Sequence, residues 1–270
     1  MNNPINNSVY NKRAVLLDLQ VNEESDLSYT DNNDEDGRWK NICQGCLSYN
    51  NSRSFDEGWN NITIKAEDVL GNPSFFDVFF FVDSKKPIIK KTEPRNNAYA
   101  SGEFIVTYYE ENPEDVWLNY GNNATGNRSV KLLGCLGGKR EECEINVSLA
   151  DYDGQEIEYW FNITDIAGYF VKSRIGKVKV DVTAPVINYL NYDIIGRYVY
   201  FNISITEQNF DVIEYYDNND LKPRWRRLCS RLRNGSCVVR KIFSYGNHSL
   251  DIQVTDKAGN SVGENIEFVI

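Results

Sequence analysis

Apolar and polar residues alternate along most of this chain. Ile62 and Ile64, Phe161 and Ile163, Phe201, Ile203 and Ile205, and Ile145, Val147 and Leu149 stand two apart with polar residues between them. A period of two marks a strand with one buried face. Similar runs at Val15 to Val21, Phe104 to Tyr108 and Tyr198 to Ile205 are bounded by turn-forming residues. No segment sustains a helical period. The pattern predicts an all-β protein of sandwich type.

The order of signals recurs three times. A short strand such as Ile88-Ile89-Lys90-Lys91 precedes a turn, Pro94-Arg95-Asn96-Asn97-Ala98, which is matched by Pro4-Ile5-Asn6-Asn7-Ser8. An alternating strand, an acidic bend and a strand around Leu27, Trp117 or Ile213 follow, then a cysteine pair. A glycine (Gly58, Gly154, Gly246) opens a further strand, which ends on Asp68, Asp165 or Asp256. Each of these aspartates shares parity with the apolar residues before it. Its carboxylate is therefore expected to point inward and accept turn N–H groups, with the glycine three residues on supplying a positive φ.

The first and last copies also match closely. Tyr29-Thr30-Asp31-Asn32-Asn33-Asp34 with Arg38-Trp39-Lys40-Asn41-Ile42-Cys43 is echoed by Tyr215-Tyr216-Asp217-Asn218-Asn219-Asp220 with Arg224-Trp225-Arg226-Arg227-Leu228-Cys229. Two junctions, Val82-Asp83-Ser84-Lys85-Lys86-Pro87-Ile88 and Val180-Asp181-Val182-Thr183-Ala184-Pro185-Val186, end in a proline that cannot join a central ladder. They predict repeats at 1–84, 85–182 and 183–270. The first copy starts directly at the turn proline, so its opening strand is expected to be missing, leaving an open edge.

Composition narrows the setting. The 270 residues are 13% aromatic, with 17 Tyr and 1 Met, which favours strands. A net charge of −10 argues against generic binding to nucleic acid or anionic membranes. The six cysteines fall as Cys43/Cys46, Cys135/Cys143 and Cys229/Cys237, one pair per repeat, and predict local disulfides in an oxidising compartment. On the chain-entropy model each staple contributes about 2–2.5 kcal/mol. Zinc lacks ligands, because His248 is the only histidine.

Glycan acceptors agree with that setting. Asn-x-Ser/Thr occurs at Asn6, Asn50, Asn61, Asn123, Asn127, Asn146, Asn162, Asn202, Asn234 and Asn247, against about three expected from composition. Alternation places Asn61, Asn146, Asn162 and Asn202 on water-facing sides. The chain carries neither an export signal nor an apolar run long enough to span a membrane, so an extracellular composition implies a piece of a longer precursor.

Two marks give the chain a resemblance. Val254-Thr255-Asp256-Lys257-Ala258-Gly259-Asn260 is echoed by Ile163-Thr164-Asp165-Ile166-Ala167-Gly168-Tyr169 and by Ala66-Glu67-Asp68-Val69-Leu70-Gly71-Asn72, and the junction Asp181-Val182-Thr183-Ala184-Pro185 adds to it. Together they resemble the tandem immunoglobulin-like repeats of bacterial and archaeal cell-surface proteins. The resemblance covers nearly the whole chain. It implies three immunoglobulin-like or fibronectin-III-like β-sandwiches serving as spacer, stalk or adhesive modules. Sequons with paired cysteines look more like an archaeal surface glycoprotein. The cysteine pairs depart from antibody domains, whose bridge joins two distant strands. Here they are expected to staple local hairpins.

Candidate chemistry is sparse. No Gly-x-Ser-x-Gly elbow or phosphate loop is present, His248 lies in a sequon expected to be solvated, and no enzymatic role or cofactor is predicted. Asn32-Asn33-Asp34-Glu35-Asp36-Gly37 approximates the start of an oxygen-ligand loop and makes Asp34 and Asp36 calcium candidates. The twelfth position would be Cys43, and an Asx-rich turn is the competing reading. In repeat 3, Lys222, Arg224, Arg226, Arg227, Arg231, Arg233, Arg240 and Lys241 crowd around the Asn234-Gly235 turn, predicting a projecting basic ribbon. Arg224, Trp225, Arg226, Arg227, Arg231 and Arg233 form its candidate dock for an acidic glycan or partner. Trp39, Trp117 and Trp225 are expected in the core, with a sugar platform the alternative for Trp39 and Trp225.

The expected function is a non-catalytic extracellular spacer or adhesive segment of a larger surface glycoprotein. Its partners would be other surface proteins, glycans and flanking domains. A carbohydrate- or polymer-binding module is the first alternative, and an accessory region of a secreted hydrolase the second.

Overall fold

The computed structural model describes residues 1–34 and 36–270. The chain is all-β, a tandem series of sandwiches with three clusters of buried apolar residues. These run from Val15 to Val82, from Ala100 to Val180 and from Val199 to Phe268. A single 3₁₀ turn, Ala150–Tyr152, is its one helical piece among the described residues.

The first repeat is one sheet folded on itself. Strands β1 (Ser8–Tyr10), β2 (Ala14–Asp31), β3 (Lys40–Ser54), β4 (Gly58–Asp68) and β5 (Pro73–Val82) lie in the order β1-β5-β4-β2-β3. The long β2 changes register between Gln20 and Ser25. Its first half pairs only with β3, and its second half lies between β3 and β4. On the side of β2 that lacks a strand, Asn3 bridges Asp18, and Asn2 and Asn3 both donate to the Asp18 carbonyl. That bridge covers part of the expected open edge.

The other two repeats hold two separate sheets each. In the second, β6 (Ile88–Glu93), β7 (Tyr99–Ala100), β8 (Glu103–Glu110), β9 (Pro113–Asn122), β10 (Gly126–Leu132), β11 (Gly138–Asn146), β12 (Glu156–Asp165), β13 (Phe170–Lys172) and β14 (Gly176–Val180) form the orders β10-β9-β12-β14-β7 and β11-β8-β6, with β13 on β12. In the third, β15 (Val186–Ile195), β16 (Tyr198–Thr206), β17 (Phe210–Asp217), β18 (Arg226–Cys229), β19 (Ser236–Ile242), β20 (Asn247–Asp256) and β21 (Ser261–Val269) give β15-β16-β19 and β18-β17-β20-β21. Strict alternation fills these cores. Tyr159, Phe161 and Ile163 on β12, and Leu250, Ile252 and Val254 on β20, are buried while their neighbours are not. No helix among the described residues is long and apolar enough to cross a membrane.

The cysteine staples correct the hairpin expectation. All three predicted pairs are bonded. Only Cys43–Cys46 lies within one strand. Cys229 ends β18 in one sheet and Cys237 opens β19 in the other, so this bond ties opposed sheets at their edges. Cys135–Cys143 joins the segment leaving β10 to β11 in the same manner. The projecting ribbon is overturned for the same reason. Asn234 and Gly235 do make a tight turn, with φ of 49° and 72° and reciprocal bonds between Arg233 and Ser236. The flanking strands then separate into different sheets.

Candidate functional site

Each repeat ends its central strand on an aspartate that shapes the next turn. Asp68 Oδ1 accepts from the N–H groups of Leu70 and Asn72 at 2.9 and 2.8 Å. Asp165 Oδ1 accepts from Ala167 and Tyr169 at 2.9 and 2.8 Å. Asp256 Oδ1 accepts from Ala258 and Asn260 at 2.8 and 2.9 Å. The glycines at +3 all have positive φ: 83° at Gly71, 81° at Gly168 and 90° at Gly259. The three turns differ in the second oxygen. Asn72 and Asn260 each return a side-chain amide to it at 2.8 Å. Tyr169 stands at the matching place in repeat 2 and has no amide. Asp165 is fully buried and its Oδ2 has no hydrogen-bond partner.

Two of these aspartates join residues from the preceding junction. Asp83, Glu110 and Asp165 each present a carboxylate oxygen within 4.8 Å of the others, and all three are buried. Asp181, Glu207 and Asp256 repeat the arrangement, with Glu207 half-buried. The supports match one for one. Asn112 Nδ2 donates to Asp83 at 3.2 Å, and Asn209 Nδ2 to Asp181 at 2.8 Å. Glu110 accepts from the Asn112 N–H at 2.8 Å, and Glu207 from the Asn209 N–H at 2.7 Å. The backbone carbonyls of Asn112 and Asn209 accept from Ile166 and Lys257, the residues after the turn aspartates. Linker, β8 or β16, and β12 or β20 therefore converge at each junction.

The electrostatics of the first junction are unbalanced. None of its three carboxylates pairs with a basic side chain among the described residues. Burial pushes Asp83 above the usual carboxylate range, with repulsion from Asp165 adding to it. Burial also raises Glu110, reinforced by Asp83 and Asp165. Burial raises Asp165 against the opposing pull of its turn N–H groups. By contrast the Asn72 amide holds Asp68, in the same turn without a cluster, below the usual range. A cavity of about 560 Å³ opens beside the first cluster and is lined by Glu57, Asp83, Lys85, Glu110 and Asn112.

The predicted site residues lie elsewhere. Asp34 faces Lys40 at 3.4 Å and Asp36 faces Arg38 at 3.6 Å, while Glu35 lies outside the described residues. Asp31 makes the Asx turn, accepting from the Asn33 N–H at 3.0 Å. Arg226 pairs with Asp220 at 2.5 Å, and Arg240 stacks on Tyr198 at 4.7 Å. Arg224, Arg227, Arg231 and Arg233 are exposed. The core assignment of the tryptophans is wrong. Trp39 and Trp225 are 44% and 46% exposed. Trp117 is half-buried on the outer face, between the inward Val116 and Leu118. Trp225 leans on Tyr216 at 5.5 Å, and Trp39 on Phe75 at 6.1 Å.

His248 is also misplaced by the sequence reading. It is buried, with Nδ1 2.6 Å from Asp217 Oδ2 and Nε2 3.0 Å from the Ser244 carbonyl, between Phe243 and Phe268. Eight sequon asparagines are exposed, and Asn61 and Asn162 are half-buried. The missed junction residues leave one mark in the sequence: Asp, Glu-x-Asn and Asp recur in the same order in two copies.

No protein-family model matches the chain, and no curated protein matches it. Among solved structures it is similar to a tetra-tandem repeat in the extending region of a large adhesion protein, at 13% identity and TM-score 0.36, covering 96% of this chain and 70% of that one. It is also similar to the FN1-FN3 domains of chicken CNTN1, at 9% identity and TM-score 0.42, covering 98% and 99%. A titin I-band fragment gives 12% identity and TM-score 0.40, covering 97% and 94%. The chain's own sheets and three cores make it a series of sandwiches.

Proposed function

We propose that the chain is a non-catalytic extracellular spacer or stalk segment of a larger surface glycoprotein, with modules at 1–84, 85–182 and 183–270. One observation carries this reading: three apolar cores in chain order, each with its own disulfide and each followed, in the first two cases, by a short anchored linker. Glu57 holds the first linker by accepting from the Ser84 N–H at 3.0 Å and from its hydroxyl. Asp153 holds the second by accepting from Val182 N–H and Thr183 Oγ1 at 3.0 and 3.1 Å. Anchoring of this kind limits the swing between neighbours, which is what a spacer requires. Peptide mapping of native material tests the setting. Oxidised pairs and glycan on exposed sequons are expected, whereas free thiols with bare sequons throughout would count against it.

The exposure of Trp225 beside Arg224 favours a second reading, a glycan-binding face on repeat 3. Exposed aromatic rings stack on sugars, and guanidinium groups match acidic substituents. Saturable binding in a glycan or cell-wall pulldown, lost in Trp225→Ala and Arg224→Ala, would establish it. Absence of saturable binding leaves the spacer.

A further inference from the structure

We propose that the first junction binds one calcium ion through Asp83, Glu110 and Asp165. This goes beyond the spacer reading and does not depend on it. The donor set is entirely carboxylate oxygen, with no nitrogen or sulfur, which suits a hard cation. Oxygens on opposite sides of a calcium ion bound at 2.3–2.6 Å stand about 4.6–5.2 Å apart, so atoms grouped within 4.8 Å fit one shell. Magnesium demands a near-ideal octahedron and gives up its waters reluctantly, which a buried site made mainly of carboxylates suits less well.

One observation besides the acidic grouping points to a ligand. Asp165 is fully buried, its Oδ1 is engaged by the turn, and its Oδ2 is left with no partner. A buried, unpartnered carboxylate oxygen is costly unless something satisfies it. The adjoining cavity, lined by Asp83 and Glu110 together with Lys85, Lys86 and Lys139, leaves room for water beside two of the three carboxylates. The second junction has the same three residue types, but Asn260 already satisfies the second oxygen of Asp256. The second junction is therefore the internal comparison for the first. A cation at the first junction would connect the linker, the end of β8 and the end of β12, fixing repeat 2 to the chain that leads into it.

Calorimetric titration of the chelator-treated chain with calcium chloride at physiological ionic strength tests this. Saturable binding is expected, with one equivalent lost in Glu110→Gln and in Asp165→Asn. Glu110→Gln keeps an oxygen for the Asn112 N–H, so its fold should be retained, and circular dichroism checks that it is. Asp68→Asn, in the equivalent turn without a cluster, should leave the stoichiometry unchanged. Three results would overturn the proposal: no saturable calcium binding by the folded wild type, the wild-type stoichiometry retained in both cluster variants, or magnesium displacing calcium at equal concentration.

Discussion

The two junctions are built from one pattern and balanced in different ways. At the second, Asn260 satisfies Asp256 and also donates to the carbonyl of Asp181 at 2.8 Å, so a single amide ties turn to linker. At the first, Tyr169 replaces that amide. Its hydroxyl reaches back 2.6 Å to the Asn11 carbonyl of repeat 1, and Lys86 lies 5.1 Å from its ring centre. The first junction thus gains a direct contact between repeats and leaves a buried carboxylate oxygen without a partner. The comparison shows how one residue in a repeated turn decides whether the second oxygen of the turn aspartate has a partner.

The largest effect should separate the two turn aspartates. With chelator present, Asp256→Ala removes a charged acceptor from two N–H groups and strands Asn260. It should lower the stability of repeat 3 by about 2–3 kcal/mol. Asp165→Ala removes the same two turn bonds but also an unpartnered buried charge, so its cost should be smaller, about 1 kcal/mol. Thermal unfolding measures both. Equal losses would mean that the orphaned oxygen has no energetic consequence.

A medium effect follows from exchanging the distinguishing residue. Tyr169→Asn gives Asp165 the amide that Asp256 has and should bring its pKa down, as read by NMR titration of the chelated protein. The sign for stability follows. Asp165 lies above its unfolded value, so its contribution is fully present below the unfolded pKa and declines as pH rises through the folded one. Tyr169→Asn should reduce that decline. An unchanged titration would show that the tyrosine is not what distinguishes the junctions.

The smallest effect concerns the linker anchors. Glu57→Ala and Asp153→Ala each remove exposed hydrogen bonds and should cost about 1 kcal/mol or less. Amide exchange should nonetheless quicken locally, at Ser84 in the first variant and at Val182 in the second. Faster exchange at only one of them would break the symmetry drawn between the junctions.

Much of the fold was legible in the sequence, because strand faces and turn aspartates are local properties. Alternation in β12 and β20 predicts which side chains face inward, and the parity of Asp165 and Asp256 places their carboxylates correctly. What was missed depends on distant partners. His248 reads as a sequon residue until β20 brings it against Asp217, 31 positions earlier. The cysteine spacing is right, yet spacing alone does not show that the chain changes sheets between Cys229 and Cys237. Trp39 and Trp225 are aromatic and recur, but both lie outside regular strands, where parity gives no guide to burial. The junction clusters join a linker to the ends of two strands, and only superposing the repeats would have assembled them.

Small-angle scattering on the monomeric chain tests most directly whether three modules stand in series. Strands of about ten residues make each module about 33 Å long, so an end-to-end series of about 100 Å has a radius of gyration near 30 Å. That value is the one predicted here. About 18 Å, expected for a single compact globule of this length, would contradict it.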